Sequence, residues 1–203
     1  MYFTWSVKPI FARRRSVATW VAAGGVWLTA SCASPPLTLY TLTPPSAAAL
    51  PPPSVSRPTT VIEVRRVSVP DYLDSEDILV RNGDVLTRST TGRWASRLSF
   101  GVTRFLTAAL ARRRPDALVT DQVPGGAPDE RIEIAIRELD ITSAGTGVLE
   151  ASWQVTPHNL RLPVRRGRGR FTANGPAKND QDIVTLTSGL LLQLARAVEL
   201  PRR

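Results

Sequence analysis

Cysteine, histidine and methionine each occur once in this 203-residue chain. A single cysteine excludes an internal disulfide framework, and with a single histidine it excludes a four-ligand Cys/His zinc site. A thiol–imidazole pair could come only from Cys32 and His158. No Gly-x-Ser-x-Gly elbow and no glycine-rich phosphate loop occurs, so a serine triad would depend wholly on His158. His158 lies in Thr156-Pro157-His158-Asn159, which reads as a solvated turn. The carboxylate pairs Asp71/Asp74 and Asp180/Asp182 flank a turn and open a helix, and neither brings the five or six oxygen donors that calcium prefers. The expectation is a chain without catalytic residues, metal or cofactor, and not an enzyme. Lysine is scarce as well: Lys8 and Lys178 stand alone, so the formal charge of +9 is carried by arginine. Hydrophobic residues are 42% of the chain, enough for a packed core.

Acids are absent from residues 1–31, which hold Lys8, Arg13, Arg14 and Arg15. Ser16 to Ala30 then runs for fifteen residues without a charge. As a helix that is about 22 Å, short for a bilayer core of about 30 Å. A basic start, a short apolar run and small residues at its end read as a secretory signal. The run leads through Leu28-Thr29-Ala30-Ser31 to Cys32. This resembles the lipobox of bacterial lipoproteins, in which the cysteine thiol takes a diacylglyceryl group and the chain is cut just before it. Thr29 departs from the pattern, where leucine is usual; here Leu28 precedes it. The resemblance implies that Cys32 is the lipid anchor. Two or three acyl chains on one residue make release negligible, since each buried CH₂ contributes roughly 0.8 kcal/mol. Ala33 follows, not the aspartate associated with inner-membrane retention, which implies the outer membrane of a Gram-negative bacterium, facing the periplasm. Cleavage leaves 22 basic and 17 acidic residues.

Residues 32–60 hold eight prolines between Pro35 and Pro58 and no acid, the composition of an extended tether. Within it Leu37–Leu42 alternates apolar and hydroxyl residues and suits a short edge strand. Residues 61–203 form one domain. A strand is predicted from Val61 to Val69, ended by Pro70, followed by an Asp71–Asp74 turn. A hairpin is predicted over Ile78–Arg81 and Val85–Arg88 around Asn82-Gly83. A helix is predicted from Trp94 to Arg113, with Leu98, Val102, Phe105, Leu106 and Ala109 on its apolar face. Strands follow at 117–120, 131–141, 148–156 and 160–172, then a helix from about Asp180 to Glu199. The order strands-helix-strands-helix predicts an α+β fold, a mainly antiparallel sheet with two helices packed on one face.

Arg161, Arg165, Arg166, Arg168 and Arg170 crowd into ten residues, with no acid between Glu150 and Asp180. Arginine forks bind phosphate bidentately, but stacking aromatics are not interleaved and an exported chain would not meet nucleic acid. Two readings stand: contact with lipid headgroups or an acidic partner, or an edge strand protected by charge.

Val67-Ser68-Val69-Pro70-Asp71-Tyr72-Leu73-Asp74, Ile78-Leu79-Val80-Arg81 and Arg93-Trp94-Ala95-Ser96-Arg97-Leu98 together resemble the PqiC-like family of ABC-type transport auxiliary lipoproteins. Tyr40-Thr41-Leu42 and Gly169-Arg170-Phe171 fit the same pattern. Ser75-Glu76 and the arginine-rich 161–170 segment depart from it. The resemblance implies a non-enzymatic outer-membrane subunit of an MCE/ABC-type intermembrane lipid transport system. Its partners would be a periplasm-spanning MCE-domain protein, an inner-membrane permease/ABC complex and further copies of itself in a homo-oligomer. Pro70, Tyr72, Leu73 and Arg81 are the candidate partner contacts, because an aromatic with a polar tip suits interfaces. The same turn could instead be anchored into the core, with Arg81 paired to Asp71 or Asp74. The alternative function is a free-standing periplasmic lipoprotein that binds a small molecule or cell-wall polymer.

Overall fold

Among the described residues the chain folds into eight strands and two helices in the order β1 (Thr38–Tyr40), β2 (Val61–Val64), β3 (Asp77–Asn82), β4 (Val85–Trp94), α1 (Leu98–Arg113), β5 (Leu118–Thr120), β6 (Glu130–Ile141), β7 (Thr146–Pro157), β8 (Arg165–Asn174) and α2 (Asp180–Ala197). This is a computed structural model, and it describes residues 36–44, 60–122 and 125–200. The predicted signal segment 1–31, Cys32 and most of the proline-rich stretch lie outside the described residues.

The fold is α+β, but its sheets are mixed and there are two of them. A three-stranded sheet has the order β1-β4-β3, and a five-stranded sheet the order β5-β2-β6-β7-β8. Strand β1 runs parallel to β4, and β2 runs parallel to both β5 and β6. The expected mainly antiparallel sheet is therefore corrected. Chain order and spatial order also diverge. The first four strands are divided between the sheets, so the molecule is not a repeated strands-then-helix unit. The cause is the crossover: after β2 the chain makes the β3–β4 hairpin and α1 before returning as β5, and a return through a helix brings a strand back parallel.

The β3–β4 hairpin closes where Asn82-Gly83 predicts it. Asn82 pairs with Val85, so Gly83 and Asp84 form the turn, and Gly83 has φ +59°, the left-handed region glycine enters without cost. Strand β6 explains itself by parity. Ile132, Ile134 and Ile136 are buried, and then the apolar positions skip to Leu139 and Ile141. A register shift between Ile136 and Glu138 absorbs the skip. Arg137 is the extra residue of a bulge, and both halves of the strand keep their apolar side inward.

The two helices pack side by side, α2 against β6, β7 and β8, and α1 towards β5. Their buried stripes join one core with both sheets: Val102, Phe105 and Leu106 from α1, Leu190, Leu191 and Leu194 from α2. Asn179 caps α2 by accepting from the Asp182 amide at 3.0 Å. Three expectations shift. Trp94 is core, but it ends β4 and does not begin α1. Strand β2 stops at Val64, and the chain then follows β6 irregularly as far as the Ser68–Ala135 bridge. Strand β8 begins at Arg165, so Leu160 and Leu162 lie in the β7–β8 loop, 89% and 55% exposed.

The Leu37–Leu42 strand is present as β1 and docks into the small sheet. Strands β1 and β2 thus belong to different sheets. The junction of β1, β4 and α2 is tight at Gly92: a side chain there would collide with the Asp180 carboxylate and the Tyr40 ring. Beside it the Thr91 hydroxyl donates to Asp180 at 2.8 Å. Gly92→Val is predicted to destabilise the domain by about 1–3 kcal/mol, the usual cost of overpacking. Proteolytic nicking near Tyr40 should rise with it. A melting curve and cleavage pattern equal to wild type would show that β1 is not held at this junction.

Candidate functional site

The Pro70–Ser75 turn is built around two opposite side-chain fates. The Pro70 carbonyl accepts from the amides of Leu73 and Asp74, at 2.9 and 3.2 Å, which closes the turn. Leu73 is 5% exposed and joins the core, while Tyr72 is 44% exposed. Among the predicted partner contacts, Tyr72 is thus the side chain presented to solvent, Pro70 is half-buried and Leu73 anchors the turn. Asp74 reaches the start of α1. That helix has no side-chain cap of its own and no acid in its first turn. The Asp74 carboxylate accepts from the Ser99 amide at 3.2 Å, satisfying one of the free donors of the helix from 25 residues away in sequence. Arg66 lies 3.5 Å from Asp74, donates to the Ser99 hydroxyl at 2.8 Å and stacks on Phe100, 3.8 Å from the ring centre. Burial pushes the Asp74 carboxyl up, but the hydrogen bonds from Ser99 and the charges of Arg66 and Arg97 outweigh it and hold it below the usual range.

Arg81 pairs with neither Asp71 nor Asp74. Its guanidinium forks onto Asp140 of β6 at 2.6 and 3.1 Å, and its backbone bridges to Thr142. It fastens the edge of the small sheet to the large one. Tyr72 stands beside this pair. Its phenol is pushed above its ordinary pKa by burial and by the Asp140 carboxylate, against the pull of Arg81. Tyr72 therefore stays a neutral phenol.

The arginine cluster is sorted by strand alternation. Strand β8 is the edge of the large sheet, and its residues alternate strictly between exposed and half-buried. Arg165 falls on the inner side, 3.7 Å from Glu130 of β6. Burial raises the Glu130 carboxyl above its usual range, against the pull of Arg165 and Arg114. Arg166, Arg168 and Arg170 fall on the outer side. Arg170 is held by Glu138 at 2.7 Å and Glu150 at 3.4 Å. Arg161 lies exposed in the loop between Leu160 and Leu162. The outer face also carries an open hollow of about 780 Å³, which Arg65, Trp153, Arg166 and Arg168 help to line. Sequence reading missed Arg65 as its neighbour, because the segment after β2 that carries it lies some hundred residues earlier.

His158 is exposed beyond the end of β7, where its amide donates to the Asp129 carbonyl at 2.7 Å. Asp71 is exposed, while Asp180 and Asp182 are occupied at the start of α2. Among the described residues, no group of three or more His, Cys, Asp or Glu could hold a metal ion, and no helix is long and apolar enough to cross a membrane.

The profile of the family described as ABC-type transport auxiliary lipoprotein component matches residues 40–199, and the chain belongs to that family. The family is one of transport auxiliary lipoproteins. No curated protein matches the chain. A solved structure of an uncharacterized protein is similar with a TM-score of 0.65 at 15% identity, covering 79% of this chain and 95% of that one. Protein XCC0632 from Xanthomonas campestris, of family DUF330, is similar with a TM-score of 0.58 at 14% identity, covering 78% of this chain and 90% of that one. These likenesses concern the fold.

Removing the tertiary cap should cost stability. Asp74→Ala is predicted to lose about 0.5–2 kcal/mol in urea denaturation at pH 7. Because the folded-state pKa of Asp74 lies below its unfolded value, its contribution is present above pH ~4 and fades as the pH falls through the folded value. The gap between wild type and Asp74→Ala should therefore shrink in acid, and Asp71→Ala should match wild type throughout. Equal stability of Asp74→Ala and wild type at pH 7 would remove the cap from the account.

Proposed function

We propose that the mature chain is an outer-membrane lipoprotein, anchored through Cys32, that serves as a non-enzymatic subunit of an MCE/ABC-type intermembrane lipid transport system. The observation that carries this reading is the family match. It begins at Tyr40, eight residues after a lone cysteine that ends an apolar signal-like run. Five residues separate Cys32 from Thr38, where β1 is already part of the fold. At roughly 3.3–3.6 Å per residue, a leash of that length keeps β1 within about 20 Å of the anchored cysteine. The domain then works close to the lipid surface, as a fixed fitting. Its docking contact for the MCE-domain protein is the 70–75 turn: Tyr72 offers an exposed aromatic side chain, while Pro70, Leu73 and Arg81 hold it in place. A homo-oligomer in the periplasm would present several such turns together.

A second reading is a free-standing periplasmic lipoprotein that binds a small molecule or wall polymer, and the open hollow in the large sheet favours it. Co-purification separates the two. Tagged wild type from detergent-solubilised membranes should bring down an MCE-domain protein. Tyr72→Ala should reduce the yield by on the order of tenfold, as for a central interface aromatic. If wild type never retains such a partner, the transport reading fails. For the anchor, mass spectrometry of the mature N-terminus should find acyl chains on Cys32, and Cys32→Ala should leave the chain without them. An unmodified Cys32 in the wild type would contradict the proposal.

A further inference from the structure

The outer face of the large sheet is not covered by either helix, and its pairing register decides what stands on it. Glu133 of β6 lies opposite Gln154 of β7, which lies opposite Arg166 of β8. In the next row Ala135 lies opposite Ser152, and Ser152 opposite Arg168. Directly paired residues share a face, so two short side chains form a floor between longer ones. That is the origin of the hollow of about 780 Å³. Arg65 closes its far side: the backbone after β2 follows β6, and the Arg65 amide donates to the Ile132 carbonyl at 2.9 Å.

The charge around this hollow is unbalanced, whereas several arginines elsewhere on the domain are paired. Arg81, Arg88, Arg93, Arg131 and Arg170 each meet a carboxylate. Around the hollow, the side chains of Arg65 and Arg168 have no hydrogen-bonded or ion-paired partner among the described residues. Arg166 gives its Nε hydrogen to Gln154 at 2.9 Å, which leaves both terminal nitrogens free. One carboxylate is present, Glu133, and it accepts from Gln154 at 3.4 Å. Four guanidinium groups line the hollow against one carboxylate; Arg66 is engaged by Asp74 and Ser99, and the other three make an anion site. Planar forks of this kind match the oxygens of a phosphate, bidentately and from more than one side. The volume suits more than the phosphate itself, since small-molecule sites run to about 300–1,000 Å³.

We propose that Arg65, Arg166 and Arg168 bind a phosphate-ester anion in this hollow, seated over Ala135 and Ser152. The assignment goes beyond the transport reading and holds under either function above. It also divides the arginine cluster: Arg166 and Arg168 bind the anion, whereas Arg165 and Arg170 are held by the carboxylates of their own sheet.

The test is calorimetric titration of the full-length protein, in a nonionic detergent at low salt. The probes are inorganic phosphate, glycerol 3-phosphate, dihexanoyl phosphatidylglycerol and poly-glutamate. Binding of the three phosphate probes, weakened at least tenfold in Arg166→Gln/Arg168→Gln and in Arg65→Gln, is the expected result. Arg170→Gln should change it less than twofold. Circular dichroism on each variant checks that the fold is kept, which these exposed positions allow. Binding of phosphatidylglycerol but not of the two water-soluble phosphates supports the site with a lipid headgroup as its source. Binding of all three supports it with free phosphate compounds as well. Absence of binding by every phosphate probe overturns the proposal. So does an equal loss in Arg170→Gln, or binding of poly-glutamate alone, which would make the hollow a seat for an acidic protein segment. None of these outcomes alters the co-purification result.

Discussion

The carboxylate of Asp74 is the contact on which the exposed part of this domain depends. Helix α1 starts without an acid and without a capping side chain of its own, so its first amides need an acceptor from elsewhere. Asp74 supplies one, and in doing so it pins the preceding turn against the helix. Once pinned, the turn has one arrangement: Leu73 enters the core and Tyr72 faces out. Arg66 completes the joint by reaching Asp74, Ser99 and the Phe100 ring. The Arg81–Asp140 fork then fixes the neighbouring sheet edge beneath Tyr72. A short motif that looks like a loop in sequence is a rigid corner joining a turn, a helix and two sheets.

Arginine does two jobs in this protein, and the residue opposite on the neighbouring strand separates them. Those that face a carboxylate become structural clamps, as at Arg81, Arg131 and Arg170. An exposed clamp is worth little singly, about 0–1 kcal/mol, but each one also removes an uncompensated charge from the surface. Those that face the floor of Ala135 and Ser152 keep their charge available. A strand with arginine at every second residue, on the edge of a sheet, also resists pairing with a foreign strand.

Periodicity made much of this fold legible. The isoleucine alternation of β6, the leucine stripe of α2 and the Asn82-Gly83 turn are local signals, and each element formed where its pattern lies. Even the bulge at Arg137 can be read in the shift of the apolar parity after Ile136. Direction and partnership were not legible. Nothing in Val61–Val64 says that both of its neighbours run parallel to it, because that is settled by the path of the chain through α1. The same gap hid the Arg81–Asp140 fork, which joins residues 59 apart, and the arrival of Arg65 beside Arg166. Leu160 and Leu162 misled for a physical reason. Their alternation mimics a strand, yet Pro163 lies between them and the start of β8, and proline cannot donate to a ladder. At the turn, the residue types were informative and their fates were not: Tyr72 and Leu73 are adjacent and apolar in body, and the closure of the turn and its contacts with α1 decide which one solvent meets.

The central claim is that the corner bearing Tyr72 is a docking point on a periplasm-spanning MCE-domain partner. Site-specific photocrosslinking in intact cells tests it most directly, with a benzophenone amino acid in place of Tyr72 and, as control, in place of Thr185 on the exposed side of α2. The account predicts an adduct with an MCE-domain protein from position 72 and none from position 185. Membrane-held protein that yields no such adduct from position 72, or the same adduct from both positions, would contradict it.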